Sequence, residues 1–139
     1  SEEQTQQLLY QMQMLENHFG ELTQKESSII NIIREANSAI HSIKGISMQS
    51  ESDSLVPLGL GAFMKSKINS KEKIIINVGS GVAIEKNHND AINYLESRLK
   101  ELEIALQDTN QQRQQIAANL EQGKQQMQNL MQKSQNPTK

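Results

Sequence analysis

The chain contains no cysteine and no tryptophan. Without thiols it can build neither a disulfide framework nor a thiolate zinc site, and their absence fits a reducing compartment. Aromatic residues make up only 3% and hydrophobic residues 35% of the 139 residues, against roughly 45–50% apolar in ordinary globular domains. A compact globule of this length needs more large apolar side chains to offset the entropy of ordering its backbone. No apolar run approaches the roughly 18–20 residues that a membrane span requires. The net charge of -2 leaves no basic footprint for nucleic acid or for a membrane surface. The opening residues Ser1-Glu2-Glu3-Gln4 are acidic and polar, unlike a signal peptide. The expected location is cytoplasmic.

What is present is periodicity. Leu8, Met12, Leu15, Phe19, Leu22, Glu26, Ile29, Ile33, Ala36, Ile40 and Ile43 recur at alternating spacings of four and three residues, with Glu26 the one break. That is a coiled-coil seam, roughly 50 Å long at about 1.5 Å per residue, and Gly45 is a stop signal. A second seam runs through Ile92, Leu95, Leu99, Leu102, Leu106, Thr109, Arg113, Ile116, Leu120, Gly123, Met127 and Leu130. Asp90 is placed to cap its start.

Folding one seam onto the other with Ile43 opposite Ile92 makes facing positions sum to about 135. Glu26 then falls opposite Thr109, one layer from Arg113, and Gly123 falls opposite Met12, whose flexible side chain can fill the space. Three of the four heptad breaks gather in one zone, which favours an antiparallel hairpin; a parallel dimer would stack Glu26 on Glu26. A Glu26–Arg113 layer can fix the register. The alternative is that both side chains snorkel to water and merely weaken the seam.

Between the seams the pattern changes. Ser47–Ser54 reads as a polar linker. Leu55-Val56-Pro57-Leu58, a turn at Gly59 and Gly61, and Ala62–Ile68 follow; then come a turn over 69–72, the β-branched Lys73–Val78, a tight turn at Gly79-Ser80-Gly81, and Val82–Lys86. Short β-branched runs separated by Gly and Asn turns predict hairpins. Some 40 residues are too few for a core of their own, and the open strand edges invite further pairing. Leu55, Val56, Leu58, Phe63, Ile68, Ile74, Ile75, Ile76, Val78, Val82 and Ile84 are therefore the candidate oligomerisation residues. Lys65, Lys67, Lys71 and Lys73 read as a guard against edge aggregation.

Enzyme-like signals fail on context. A phosphate loop leads into a helix, whereas Gly79-Ser80-Gly81 leads into a strand. His18, His41 and His88 have no ligand spacing. No catalytic residue, metal or cofactor is expected.

The order helix, β-insert, helix, with Leu55-Val56-Pro57-Leu58-Gly59-Leu60-Gly61-Ala62-Phe63 and Val78-Gly79-Ser80-Gly81-Val82-Ala83-Ile84-Glu85-Lys86-Asn87, resembles the α-type subunit of archaeal prefoldin over nearly the whole chain. The resemblance implies a mainly α fold, an antiparallel coiled-coil hairpin with two small β-hairpins at its closed end. It implies a hexamer of two α-type and four β-type subunits joined through those hairpins. It further implies an ATP-independent holdase that captures non-native polypeptides at the coil tips and passes them to a group II chaperonin; the charge and hydropathy above add the expectation of no nucleic-acid or membrane partner.

The resulting organisation is a coiled-coil helix over 1–45, an oligomerisation element over 46–89, a second helix over 90–133 and a disordered tail over 134–139. At the tips, Leu9, Tyr10, Met14 and Met131 are apolar but lie off the seam. With Leu8, Met12, Met127 and Leu130 they form the candidate client-binding surface, where methionine suits clients of no fixed shape. The competing function is a structural scaffold or spacer that only oligomerises through its insert. A spacer has no use for off-seam apolar residues.

Overall fold

The computed structural model describes residues 1–135. Helix α1 (Glu2–Ser47) is followed by strands β1 (Glu51–Gly59), β2 (Ala62–Asn69), β3 (Ile74–Gly79) and β4 (Val82–Lys86), then by helix α2 (His88–Gln135). The strands form two separate antiparallel hairpins, β1 with β2 and β3 with β4. The mainly α architecture with a β-insert is the one the heptads and turn signals predict. Contacts divide the chain into one unit of Ile32–Leu102 and a second made of Ser1–Asn31 with the chain from Glu103 onward.

In the Ile32–Leu102 unit the core is small. Ile43 of α1, Ile76 of β3 and Ala91 of α2 are buried together, with Ile74, Ile84, Ile92, Tyr94 and Leu95 packed around them. Strand alternation explains the selection. Ile76 pairs with Ile84, and both face the helices, while Ile75 and its partner Glu85 face outward. The β1–β2 hairpin buries none of its large apolar side chains in this way, and a lone two-stranded sheet is marginal in water.

Both hairpins turn through two residues of positive φ, Leu60 (50°) with Gly61 (77°) and Ser80 (54°) with Gly81 (75°). This is the turn whose twist matches antiparallel strands. Glycine is at home there; Leu60 is not.

Three boundaries differ from the sequence reading. Helix α1 runs past Gly45 to Ser47, whose hydroxyl donates to the Ile43 carbonyl at 2.8 Å. Strand β1 starts at Glu51, inside the segment that reads as linker, because Glu51–Ser54 pair with Asn69–Ser66. Helix α2 starts at His88 and is capped by Asn87, not Asp90: the Asp90 amide donates to Asn87 Oδ1 at 2.8 Å. Asp90 instead adds negative charge to the first turn, where the helix dipole favours it. His88 joins three segments, meeting the Ser47 hydroxyl through Nδ1 and the Glu72 carbonyl through Nε2 at 2.9 Å. Ser134 and Gln135 close α2, and the rest of the expected tail lies outside the described residues.

In the other unit the two helices pair along the predicted seams. On both helices every seam position, including those in the Ile32–Leu102 unit, is buried or half-buried. The register also holds: a Cβ built on Gly123 would lie 3.0 Å from Met12 Cγ, the pair that the sum of 135 requires. The two glycines of this unit therefore differ in consequence. A methyl group at Gly20 meets nothing within 4 Å, so Gly20→Ala gains the full helix-propensity difference of about 1 kcal/mol. Gly123→Ala gains less, because Met12 must move. Thermal melting followed by circular dichroism should rank Gly20→Ala above Gly123→Ala.

Candidate functional site

Inside the coil of the Ser1–Asn31 and Glu103-onward unit, three polar residues occupy seam positions. Thr109 is 1% exposed and returns its hydroxyl to the Ala105 carbonyl at 2.8 Å. This local bond satisfies a buried hydroxyl without a partner helix. Glu26 Oε1 sits 3.3 Å from Arg113 Nη1, with the two side chains 20% and 29% exposed. Arg113 also stacks over Phe19, 5.9 Å from its ring centroid, and reaches Asn110 Oδ1 at 3.4 Å. The second carboxylate oxygen of Glu26 is buried without a hydrogen-bond partner among the described residues. A polar layer at this depth costs stability and discriminates between registers.

At the end of this unit the candidate client-binding residues divide into two sets. Leu9, Tyr10, Met14 and Met131 are exposed, all by more than half of their surface. Leu8, Met12, Met127 and Leu130 are half-buried in the seam. Leu8 and Leu130 line an open cleft of about 370 Å³ whose other walls are mostly glutamine and asparagine. The exposed set is flexible or amphipathic, which suits contact with variable apolar surfaces.

In the Ile32–Leu102 unit the candidate oligomerisation residues divide too. Leu55, Val56, Leu58, Phe63, Ile75, Val78 and Val82 are exposed. Ile68 is half-buried. Ile74, Ile76 and Ile84 point the other way, into the chain's own core, because the two-residue alternation of β3 and β4 sends them to the helices. They leave the candidate surface. Two residues join it that the sequence reading passes over. Met64 pairs with Val56 on β1 and is 62% exposed. Leu60 is fully exposed at positive φ. A Gly-Leu-Gly turn reads as chain reversal alone; the positive φ of a bulky apolar residue is what marks Leu60.

Among the described residues, no cluster of His, Cys, Asp or Glu could hold a metal ion, and no helix is long and apolar enough to cross a membrane.

Comparison with known proteins gives one consistent result. Residues 8–133 match the family described as prefoldin subunit. The chain belongs to the prefoldin family. Prefoldin subunit alpha of Nitrosopumilus maritimus is 54% identical over 95% of this chain and 91% of its own length. Prefoldin subunit alpha of Pyrococcus horikoshii is 31% identical over 73% and 70%. Among solved structures, the prefoldin beta subunit from Thermococcus strain KS-1 superposes with a TM-score of 0.64 at 16% identity, covering 91% of each chain. A chain of filamentous PFD from Methanocaldococcus jannaschii superposes at 0.54 with 20% identity, covering 88% of this chain and 96% of its own. These structures share the prefoldin fold of two long helices around β-hairpins. Prefoldin membership carries a chaperone-type function, and the two relatives named above are alpha subunits.

Proposed function

We propose that this prefoldin chain is the α-type subunit of an ATP-independent holdase that captures non-native polypeptides at its coil ends. The observation that carries the reading is the exposure of Leu9, Tyr10, Met14 and Met131 on a helix pair whose seam is already filled. Side chains that are redundant for the coiled coil are available to a client. A spacer would carry polar residues at those positions.

The subunit assembles with β-type prefoldin subunits, two α with four β, through its hairpins. Supporting this is the β1–β2 hairpin, which leaves Leu55, Leu58 and Phe63 exposed and has no core of its own within the chain. Exposed apolar side chains gathered on so small an element mark a surface for another subunit. The assembly works in the cytoplasm and hands its cargo to a group II chaperonin, a step that rests on prefoldin membership.

The test is light scattering of a chemically denatured client diluted into the assembled complex without nucleotide. Changing Leu9, Tyr10, Met14 and Met131 together to serine should abolish most of the protection while leaving the mass of the complex unchanged. Equal protection by both complexes would move capture away from these residues. No protection by either would favour the spacer.

A further inference from the structure

The cleft at the coil end has a chemistry that apolar capture does not use. Its floor is Leu8 and Leu130, but five of its lining side chains are primary carboxamides: Gln4, Gln7, Gln11, Gln126 and Asn129. Lys133 is the one charged residue that lines it. Gln4, Gln7 and Gln11 recur at the three- and four-residue spacing that keeps them along one side of α1. Gln126 and Asn129 do the same on α2. All five are exposed. Among the described residues, the single hydrogen bond made by any of these side chains within the chain is a 3.4 Å contact from the Ser1 amine to Gln4 Oε1.

A carboxamide offers two donors and an acceptor and carries no charge. A row of them is a poor match for an anion or a cation, either of which needs groups of one polarity. It matches a partner that presents donors and acceptors in alternation at short intervals, and an extended peptide main chain is that partner. An unfolded protein, unlike a folded one, has its main-chain amides free.

We propose that the glutamine- and asparagine-lined cleft binds the main chain of non-native proteins in extended form, while the neighbouring exposed residues hold their apolar side chains. This deepens the holdase reading and rests on it. It supplies what apolar contact alone lacks, a reason to prefer unfolded chain over any greasy surface. The main-chain contact itself is indifferent to client sequence and changes little with salt, since it involves no ion pair.

The probe is a fluorescent 15-residue valine- and threonine-rich peptide, compared with the same peptide N-methylated at alternate residues. N-methylation removes main-chain donors and leaves the side chains in place. Each would be titrated into the assembled complex carrying the natural cleft, and into one carrying Gln4→Met, Gln7→Met, Gln11→Met, Gln126→Met and Asn129→Leu. The Gln→Met changes keep size and helix propensity, Asn129→Leu raises propensity, and all five make the cleft more apolar.

With the natural cleft, N-methylation should weaken binding about tenfold, the effect of losing one or two net hydrogen bonds. With the apolar cleft the penalty should fall below about twofold. A complex with alanine at all five positions should behave like the apolar one, which guards against new methionine contacts. An N-methylation penalty that is equal in natural and substituted clefts, or absent in both, overturns the proposal. The holdase reading fails separately, when the serine variant of Leu9, Tyr10, Met14 and Met131 still protects the denatured client.

Discussion

Replacing Phe63 and Val82 together with aspartate should split the proposed complex with β-type subunits into separate species. Both side chains are more than half exposed in the single chain and lie on hairpins that have little else to bury them. Burying them in an interface recovers about 25 cal/mol for each Å² of apolar surface. A carboxylate at the same place would have to be desolvated without a partner, at a cost of several kcal/mol per group. Two such charges in every copy exceed what an interface of ordinary affinity can absorb. The matched control is Ile104→Asp, which adds a charge at an exposed α2 position outside both hairpins. Mass measurement by light scattering after gel filtration should show small species for the double variant and an intact complex for the control. An intact complex in both would remove the hairpin faces from the assembly.

Arg113→Ala should destabilise the coil by about 1–3 kcal/mol, between the value of an exposed ion pair and the loss on breaking a buried one. Among the described residues Arg113 is the one ion-pair partner of Glu26, and its loss leaves a carboxylate that is 20% exposed without that counter-charge. The cation–π contact to Phe19 goes with it, worth about 0.5–1 kcal/mol. Replacing Glu26 and Arg113 together by leucine should restore the stability or exceed the natural level, because the desolvation cost disappears with the pair. The charge-swapped protein, Glu26→Arg with Arg113→Glu, should recover part of the loss. Thermal melts of these proteins, with Glu26→Arg and Arg113→Glu alone as references, decide the matter. A charge swap no more stable than either of those two single variants would mean that the two residues act independently.

Much of this was legible because coiled-coil geometry is arithmetic. A strict alternation of three and four residues names the buried positions, and an antiparallel pair has one free parameter. Fixing Ile43 opposite Ile92 was enough to bring Met12 to Gly123 and Glu26 to within a layer of Arg113. The strands were harder. Ile74-Ile75-Ile76 is apolar at every position, so it carries no phase; only pairing with Ile84 shows that Ile75 faces out. Glu51–Ser54 read as linker because both faces of that strand segment are polar, and β pairing there is set by its partner strand. Asn87 and Asp90 are both capping residues three apart, and the choice between them needed the amide geometry. The carboxamide cleft was hidden for another reason. Glutamines on a helix surface look like solvated positions until two helices bring their rows to one opening.

The most direct measurement places the client. A photo-crosslinking amino acid would be installed singly at Tyr10, at Met131, at Ile104 and at Phe63, and each complex would be irradiated with a denatured client and without nucleotide. Strong client adducts at Tyr10 and Met131, with little at Ile104 and Phe63, are the predicted result. Adducts concentrated at Phe63, or spread evenly over all four positions, would contradict capture at the coil end.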